Sequence, residues 1–250
     1  MSNLGIVIQA RLGSSRLPNK VLLPLKNGKS MLMTIIERLE QLDLPIVVAT
    51  TNSHTDLSLV DYLKENNIKY TRGDEMNVLS RFIKAGEENN FDFIIRVCSD
   101  NPYIDITYMN RLIQLWKENK SQDYISFSYK GKPTILSHFG IFGEIVSFSS
   151  LLKISKMFPQ DISFQEHVTK GVYSNPSLFN IALTDIDKEL EKFDGIRLTV
   201  DTLEDYHNIC EINEKFSENP LANIKDIGNW ILGKKKMIQI MNYTINKNLK

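Results

Sequence analysis

The sequence predicts an α/β fold in which helices cover both faces of a mostly parallel sheet. Two observations carry this reading. Over the first 130 residues, short β-branched runs alternate with stretches whose apolar residues recur at helical spacing. The runs are apolar throughout, as in strands buried on both faces. Right-handed crossovers then lay the connecting helices against the sheet.

The elements follow in order. Ile6–Ile8 is the first buried strand. Met31, Ile35, Ile36, Leu39 and Leu42 mark a helix over Met31–Leu42. Ile46–Thr50 is the second strand, Leu57–Asn66 a helix and Ile68–Tyr70 a short third strand. Val78–Glu88 reads as helix, Phe93–Val97 as strand and Ile106–Asn119 as helix. After Lys120 the pattern changes. Tyr124–Tyr129 and Thr134–Phe148 are rich in aromatic and β-branched residues around a Lys130-Gly131-Lys132-Pro133 turn, as in an antiparallel region. Phe179–Leu183 and Ile196–Val200 read as further strands, Leu203–Phe216 and Ile224–Leu232 as closing helices. A single domain over residues 1–233 is expected, with 120–185 as its antiparallel subregion. Residues 234–250, opening on Lys234-Lys235-Lys236, read as a basic solvated tail. The aromatic-rich Tyr124–Phe148 stretch is where a homodimer contact is expected.

Thirty basic residues balance thirty acidic ones. A neutral chain lacks the basic face that nucleic acid requires, so no nucleic-acid partner is expected, although a local anion site is compatible. No run reaches the length of a membrane span and no signal-peptide pattern opens the chain. No membrane partner and a cytoplasmic location are therefore expected. Cys98 and Cys210 have neither metal-ligand spacing nor the numbers of a disulfide scaffold, and read as buried thiols.

The segment Gln9–Lys20 directly follows the first strand, where open α/β sheets bind ligands. Its composition suits a polyphosphate. Gly13 permits close backbone approach, Ser14 and Ser15 add donors, and Arg11, Arg16 and Lys20 supply positive charge. It lacks the GK[ST] ending of a Walker A loop and the G-x-G-x-x-G of a dinucleotide site. Asp100, in a Ser-Asp-Asn-Pro turn, and Asp201 each end a strand, so both face one crevice. By residue type alone, each reads equally well as a turn or helix-start residue. Arg72-Gly73-Asp74 follows the third strand and is expected to close over a nucleotide. Arg81 reads either as a ligand contact or as half of a surface ion pair.

IQARLGSSRLPNKVL resembles the signature loop of the cytidylyltransferases that activate acidic sugars. The similarity is nearest to the spore-coat-polysaccharide branch and more distant to the Kdo and acylneuraminate cytidylyltransferases. It continues at Gly73–Arg81, Arg96–Pro102, Glu166–Thr169 and Arg197–Asp205. Asn19 stands where that family usually carries Gly, and Asn77 where an acid is frequent. The resemblance implies a three-layer α/β/α, Rossmann-like, GT-A-like nucleotidyltransferase fold with a mostly parallel mixed sheet. It implies CTP and a 3-deoxy-ulosonic type of sugar acid as substrates, and a CMP-sugar and pyrophosphate as products. Mg2+ is then the cofactor, with Asp100 and Asp201 as its ligands. Nucleotide contacts are expected from Ala10, Arg11, Gly13, Ser14, Ser15, Lys20, Arg72, Gly73, Asp74 and Ser99, with Arg11, Lys20 and Asp100 catalytic.

Candidates for the sugar-like acceptor are His138, Glu144, Glu166 and His167, with Lys170 nearby. A lone His among apolar residues such as His138 is usually a satisfied structural group. The Glu166-His167 pair reads either as hydroxyl and proton contacts or as a helix start paired with Lys170. Three rivals remain at this stage: nucleotidyl transfer to a sugar 1-phosphate or other phosphorylated metabolite, a glycosyltransferase, and a non-catalytic nucleotide-binding protein.

Overall fold

The computed structural model describes residues 2–248. Strands β1 (Leu4–Gln9), β2 (Ile46–Thr51), β3 (Tyr70–Gly73) and β4 (Phe93–Cys98) form the parallel part of one eight-stranded sheet. β5 (Tyr124–Tyr129), β6 (Lys132–Pro133), β7 (Glu144–Ser147) and β8 (Ile181–Asp185) complete it in the order β3-β2-β1-β4-β7-β5-β6, with β8 paired to β5. β7 is inserted antiparallel between β4 and β5, while β8 runs parallel to β5. The region after Lys120 is therefore mixed, not wholly antiparallel.

The strand residues divide by parity, as the pleat requires. Ile6, Ile8, Ile95 and Val97 join one core with residues of α1 (Met31–Leu39), α2 (Leu57–Glu65), α4 (Ile106–Glu118), α8 (Leu203–Lys215) and α9 (Ile224–Leu232). Val7, Val47 and Ile94 join a second with residues of α3 (Val78–Glu88), α5 (Phe148–Met157) and α7 (Lys170–Tyr173), close to the short α6 (Ile162–Glu166). The result is a three-layer α/β/α, Rossmann-like arrangement.

Four expectations change. Thr134–Phe148 is not a long strand. It breaks into a 3-10 turn at Thr134–Leu136, the four-residue β7 and the start of α5. Ile196–Val200 is extended but joins no ladder. Its backbone is held by single bonds, Leu198 N to Phe139 O at 3.2 Å and Val200 N to Asp100 O at 2.8 Å. The segment expected as a solvated tail forms α10 (Lys235–Asn248), which buries Met237, Met241 and Ile245. Lys235 and Lys236 stay exposed, as the charge pattern suggested. The aromatic side chains Tyr124, Phe127, Phe139 and Phe142 are buried in this chain's own core, so those four are not the side chains a homodimer contact would use. Among the described residues, no helix is long and apolar enough to cross a membrane.

Candidate active site

The loop after β1 is pinned from below. The Leu12 amide donates to buried Asp56 at 2.7 Å, and the Thr51 hydroxyl holds the other oxygen of that carboxylate. Leu12 in turn accepts from Ser14 N at 2.8 Å and Asn19 N at 3.1 Å, which curls the loop back on itself. Asn19 has φ 57° and ψ 16°, the left-handed conformation. Asn is the non-glycine residue that enters this region at least cost, so replacing the family's usual Gly leaves the backbone path open. Asn19→Gly is expected to melt within a degree or two of wild type, and Asn19→Val to lose roughly 1–2 kcal/mol. Equal melts for the Val variant and wild type would show that the turn imposes no such conformation. The second departure is equally mild. Asn77 caps α3 by accepting from Ser80 N at 2.8 Å, a bond that Asp makes as well.

Lys20 leaves this loop and crosses to the far wall. Its ammonium donates to Asp100 Oδ2 at 3.3 Å, Val200 O at 2.8 Å and Asp201 Oδ1 at 3.2 Å, which uses all three of its protons. Arg16 also reaches Asp201, at 2.9 Å, and Arg197 contacts both Asp201 and Asp205. Burial pushes the Asp201 carboxyl up, but Lys20, Arg16 and Arg197 outweigh it and hold the group below the ordinary carboxylate range. Asp205 has a structural role. It accepts from the Asp201 and Thr202 amides and completes the capping box of α8.

Two compartments meet at the carboxylates. One is polar and lined by Ala10, Arg11, Ser14, Ser15, Arg81 and Ser99. The other, about 440 Å³, is half apolar, with Leu136, Phe142, Tyr173, Thr169 and Lys170 in its wall. Gln9, Arg96, His167, Asp100 and Asp201 line both. Gly140 helps shape the second. It has φ 68°, and a Cβ there would lie 2.5 Å from Thr199 Oγ1.

Other expected residues lie elsewhere. Arg72 spends its guanidinium on the carbonyls of Thr51 at 2.8 Å and Ser53 at 3.2 Å. Gly73 pairs with Thr51 across β2 and β3, and Asp74 accepts from the Met76 and Asn77 amides. Neither these three nor Gly13 lines the two compartments. His138 also lies outside them. It stacks on Phe139 and bonds the Asp194 carbonyl, the satisfied structural histidine that its apolar neighbours suggested. Glu144 is 1% exposed and fully engaged beneath the cleft, so it makes no direct acceptor contact. Glu166 and His167 do reach the cleft. They end α6 instead of starting a helix, and Lys170 bonds Ser163, not Glu166.

Arg81 is not half of a surface ion pair. It is 2% exposed, bonds the Asp74 and Glu75 carbonyls, and has a buried Nε without a partner. Burial and then Arg11 lower its pKa, which marks two cations converging on one compartment. Arg96 and Arg197 also line the cleft. Their signal in the sequence was a charged residue inside an otherwise apolar run. Cys98 and Cys210 are part-exposed and unpaired, not fully buried. Burial pushes the Cys98 thiol up to about 11.

A cation-lined loop facing two carboxylates across a β1–β4 crevice is the geometry of nucleotidyl transfer, and comparison with known proteins agrees. Residues 5–243 match the family described as cytidylyltransferase. The chain belongs to the cytidylyltransferase family. It is therefore a nucleotidyltransferase, and the non-catalytic and glycosyltransferase readings fall away. It is 32% identical to the spore coat polysaccharide biosynthesis protein SpsF of Bacillus subtilis (strain 168), over 91% of this chain and 93% of that one. A cytidylyltransferase from Leptospira borgpetersenii serovar Hardjo-bovis (strain JB197) superposes with a TM-score of 0.84. It is 26% identical and covers 96% of this chain and 98% of its own. The CMP:2-keto-3-deoxy-manno-octonic acid synthetase complexed with CTP has a TM-score of 0.63 at 16% identity, covering 86% of this chain and 99% of its own. That similarity speaks to fold alone.

A divalent cation fits this family site in one specific way. Among the described residues, no group of three or more His, Cys, Asp or Glu forms a cage. Asp100 and Asp201 nonetheless converge on a single cation, the Lys20 ammonium. Two carboxylates completed by substrate phosphate oxygens are the usual Mg2+ arrangement.

Proposed function

We propose that the chain transfers a cytidylyl group from CTP to a sugar acid of the 3-deoxy-ulosonic type, giving a CMP-sugar and pyrophosphate. The observation that carries this is the pair of compartments sharing Asp100 and Asp201, one rich in cations and one half apolar. Arg11, Arg16, Lys20 and Arg81 suit a triphosphate, and the half-apolar side suits a monosaccharide. The relatives' names support an activated sugar as product: the Bacillus protein is named for spore coat polysaccharide biosynthesis, and the more distant protein is a CMP:2-keto-3-deoxy-manno-octonic acid synthetase.

In this reading an acceptor hydroxyl oxygen attacks the α-phosphorus in line. The new P–O bond forms as the bond to the β-phosphate bridging oxygen breaks, and pyrophosphate leaves. Lys20 and Arg11 stabilise the developing charge, and positioning supplies much of the remaining acceleration. His167, on the shared boundary, receives the acceptor proton. Asp100 and Asp201 would hold Mg2+, which would offset negative charge on the phosphates.

Pyrophosphate release with each of the four nucleoside triphosphates, across a panel of acidic and phosphorylated sugars, tests the assignment. CTP is expected to exceed UTP by roughly a hundredfold, because a buried polar mismatch at the ring edge costs about 1–3 kcal/mol per group. Equal use of UTP, or a preference for ATP or GTP, would remove the cytidylyl assignment. Turnover of sugar 1-phosphates but not sugar acids would replace the acceptor.

A further inference from the structure

Arg96 is the one charged residue of β4, whose other residues are Phe93, Ile94, Ile95, Val97 and Cys98. Directly opposite it in the β4–β7 register is Glu144, and the two pair at 2.6 Å through Nη1. Arg96 is 6% exposed and Glu144 1%. Glu144 is saturated, since the buried hydroxyls of Tyr124 and Thr169 also donate to it, the latter at 2.7 Å. Arg96 Nε donates to Gln9 Oε1 at 3.2 Å. Its other amino group, Nη2, has no hydrogen-bond partner among the described residues, and Arg96 lines both compartments.

Replacing a buried ion pair with an apolar pair of similar volume is often neutral or even stabilising. Stability therefore does not account for it, whereas a guanidinium fixed on two nitrogens with the third facing a cleft is a built anion contact. The other cations in the half-apolar compartment are committed. Lys170 donates to Ser163 at 2.7 Å, and Arg197 is held by Asp201 and Asp205. The triphosphate side already has Arg11, Arg16, Lys20 and Arg81.

We propose that Arg96 is the specificity residue that receives the anionic group of the acceptor, a carboxylate or a phosphate, and that Glu144 is the positioning residue that aims it. This rests on the cytidylyl-transfer reading. A neutral acceptor leaves Nη2 facing an unpaired contact and is selected against.

The test is binding to full-length protein loaded with α,β-methylene CTP, which blocks turnover. 3-Deoxy-manno-octulosonate, pyruvate, inorganic phosphate and neutral N-acetylmannosamine are titrated separately by ligand-detected NMR. Wild type is expected to bind at least one of the anions and to bind it more tightly than the neutral sugar. Pyruvate and the octulosonate against phosphate distinguish a carboxylate from a phosphate. Arg96→Lys keeps the ion pair but loses the fixed amino group, and is expected to weaken the anion about tenfold or more. Glu144→Gln, and Arg96→Met combined with Glu144→Gln, are expected to do the same while the nucleotide analogue keeps its affinity within about twofold. That split between acceptor and nucleotide is one that general loosening of the fold does not produce. Three outcomes overturn the proposal: no anion preference in wild type, unchanged anion affinity in a folded Arg96→Lys variant, or loss of analogue affinity in step with the anion. Failure of the transfer reading looks different, as an analogue that never binds or CTP that yields no pyrophosphate with any acceptor.

Discussion

Asp100→Asn is expected to leave a folded protein whose turnover falls by about 10²- to 10³-fold. The turn survives because the bond that fixes it, Val200 N to Asp100 O, is made by the backbone. Asn has the same shape and the same turn preference. What disappears is one of the two negative charges that converge on the Lys20 ammonium. A preorganised group that acts on charge developing at the reacting centre contributes on this scale. Chelation tests the same point by another route. EDTA is expected to abolish pyrophosphate release and added Mg2+ to restore it. The checks are initial rates of pyrophosphate release and a circular-dichroism melt of the variant. A chelated enzyme running at its normal rate would show that neither carboxylate holds a catalytic cation, and a folded Asp100→Asn variant with wild-type turnover would take Asp100 out of that role.

The parts of this site that were legible in the sequence are those set by local chain geometry. Arg11 to Lys20 lie within one loop behind one strand, and Asp100 lies at the end of another, so their convergence follows from strand polarity alone. The helix Val78–Glu88 was legible to the residue because its apolar residues recur at helical spacing. The misses come from contacts that depend on which strands become neighbours. Glu144 reads as an acceptor contact in the sequence, but β7 lies beside β4 and places it opposite Arg96. Thr134–Phe148 looked like strand because it is apolar, yet Phe139, Ile141 and Phe142 are buried by packing, without a ladder. Ile196–Val200 misled for the same reason. In the C-terminal segment, three lysines mask the helical spacing of Met237, Met241 and Ile245, which marks one buried face.

Lys20→Met is the companion expectation, with a loss of about a hundredfold in kcat/KM for CTP. The ammonium's three protons are all engaged by Asp100, Asp201 and the Val200 carbonyl, so binding a triphosphate means exchanging some of these partners for phosphate oxygens. Each charge-assisted contact is worth roughly 1.5–3 kcal/mol, and one such contact in the transition state accounts for the loss. Met keeps the length and apolar stem of the side chain, so packing against the loop is retained. Arg16 and Arg197 remain on Asp201 and limit the repulsion that the vacated carboxylates feel. Lys20 and Asp100 act on the same centre, so their losses are not independent. The double variant, Lys20→Met with Asp100→Asn, is expected to lose much less than the product of the two single losses. Rates of pyrophosphate release across a CTP titration, measured for the four proteins of the cycle, decide the matter. Multiplicative losses would separate the two residues into independent roles, and wild-type kinetics in a folded Lys20→Met variant would take the loop out of the triphosphate site altogether.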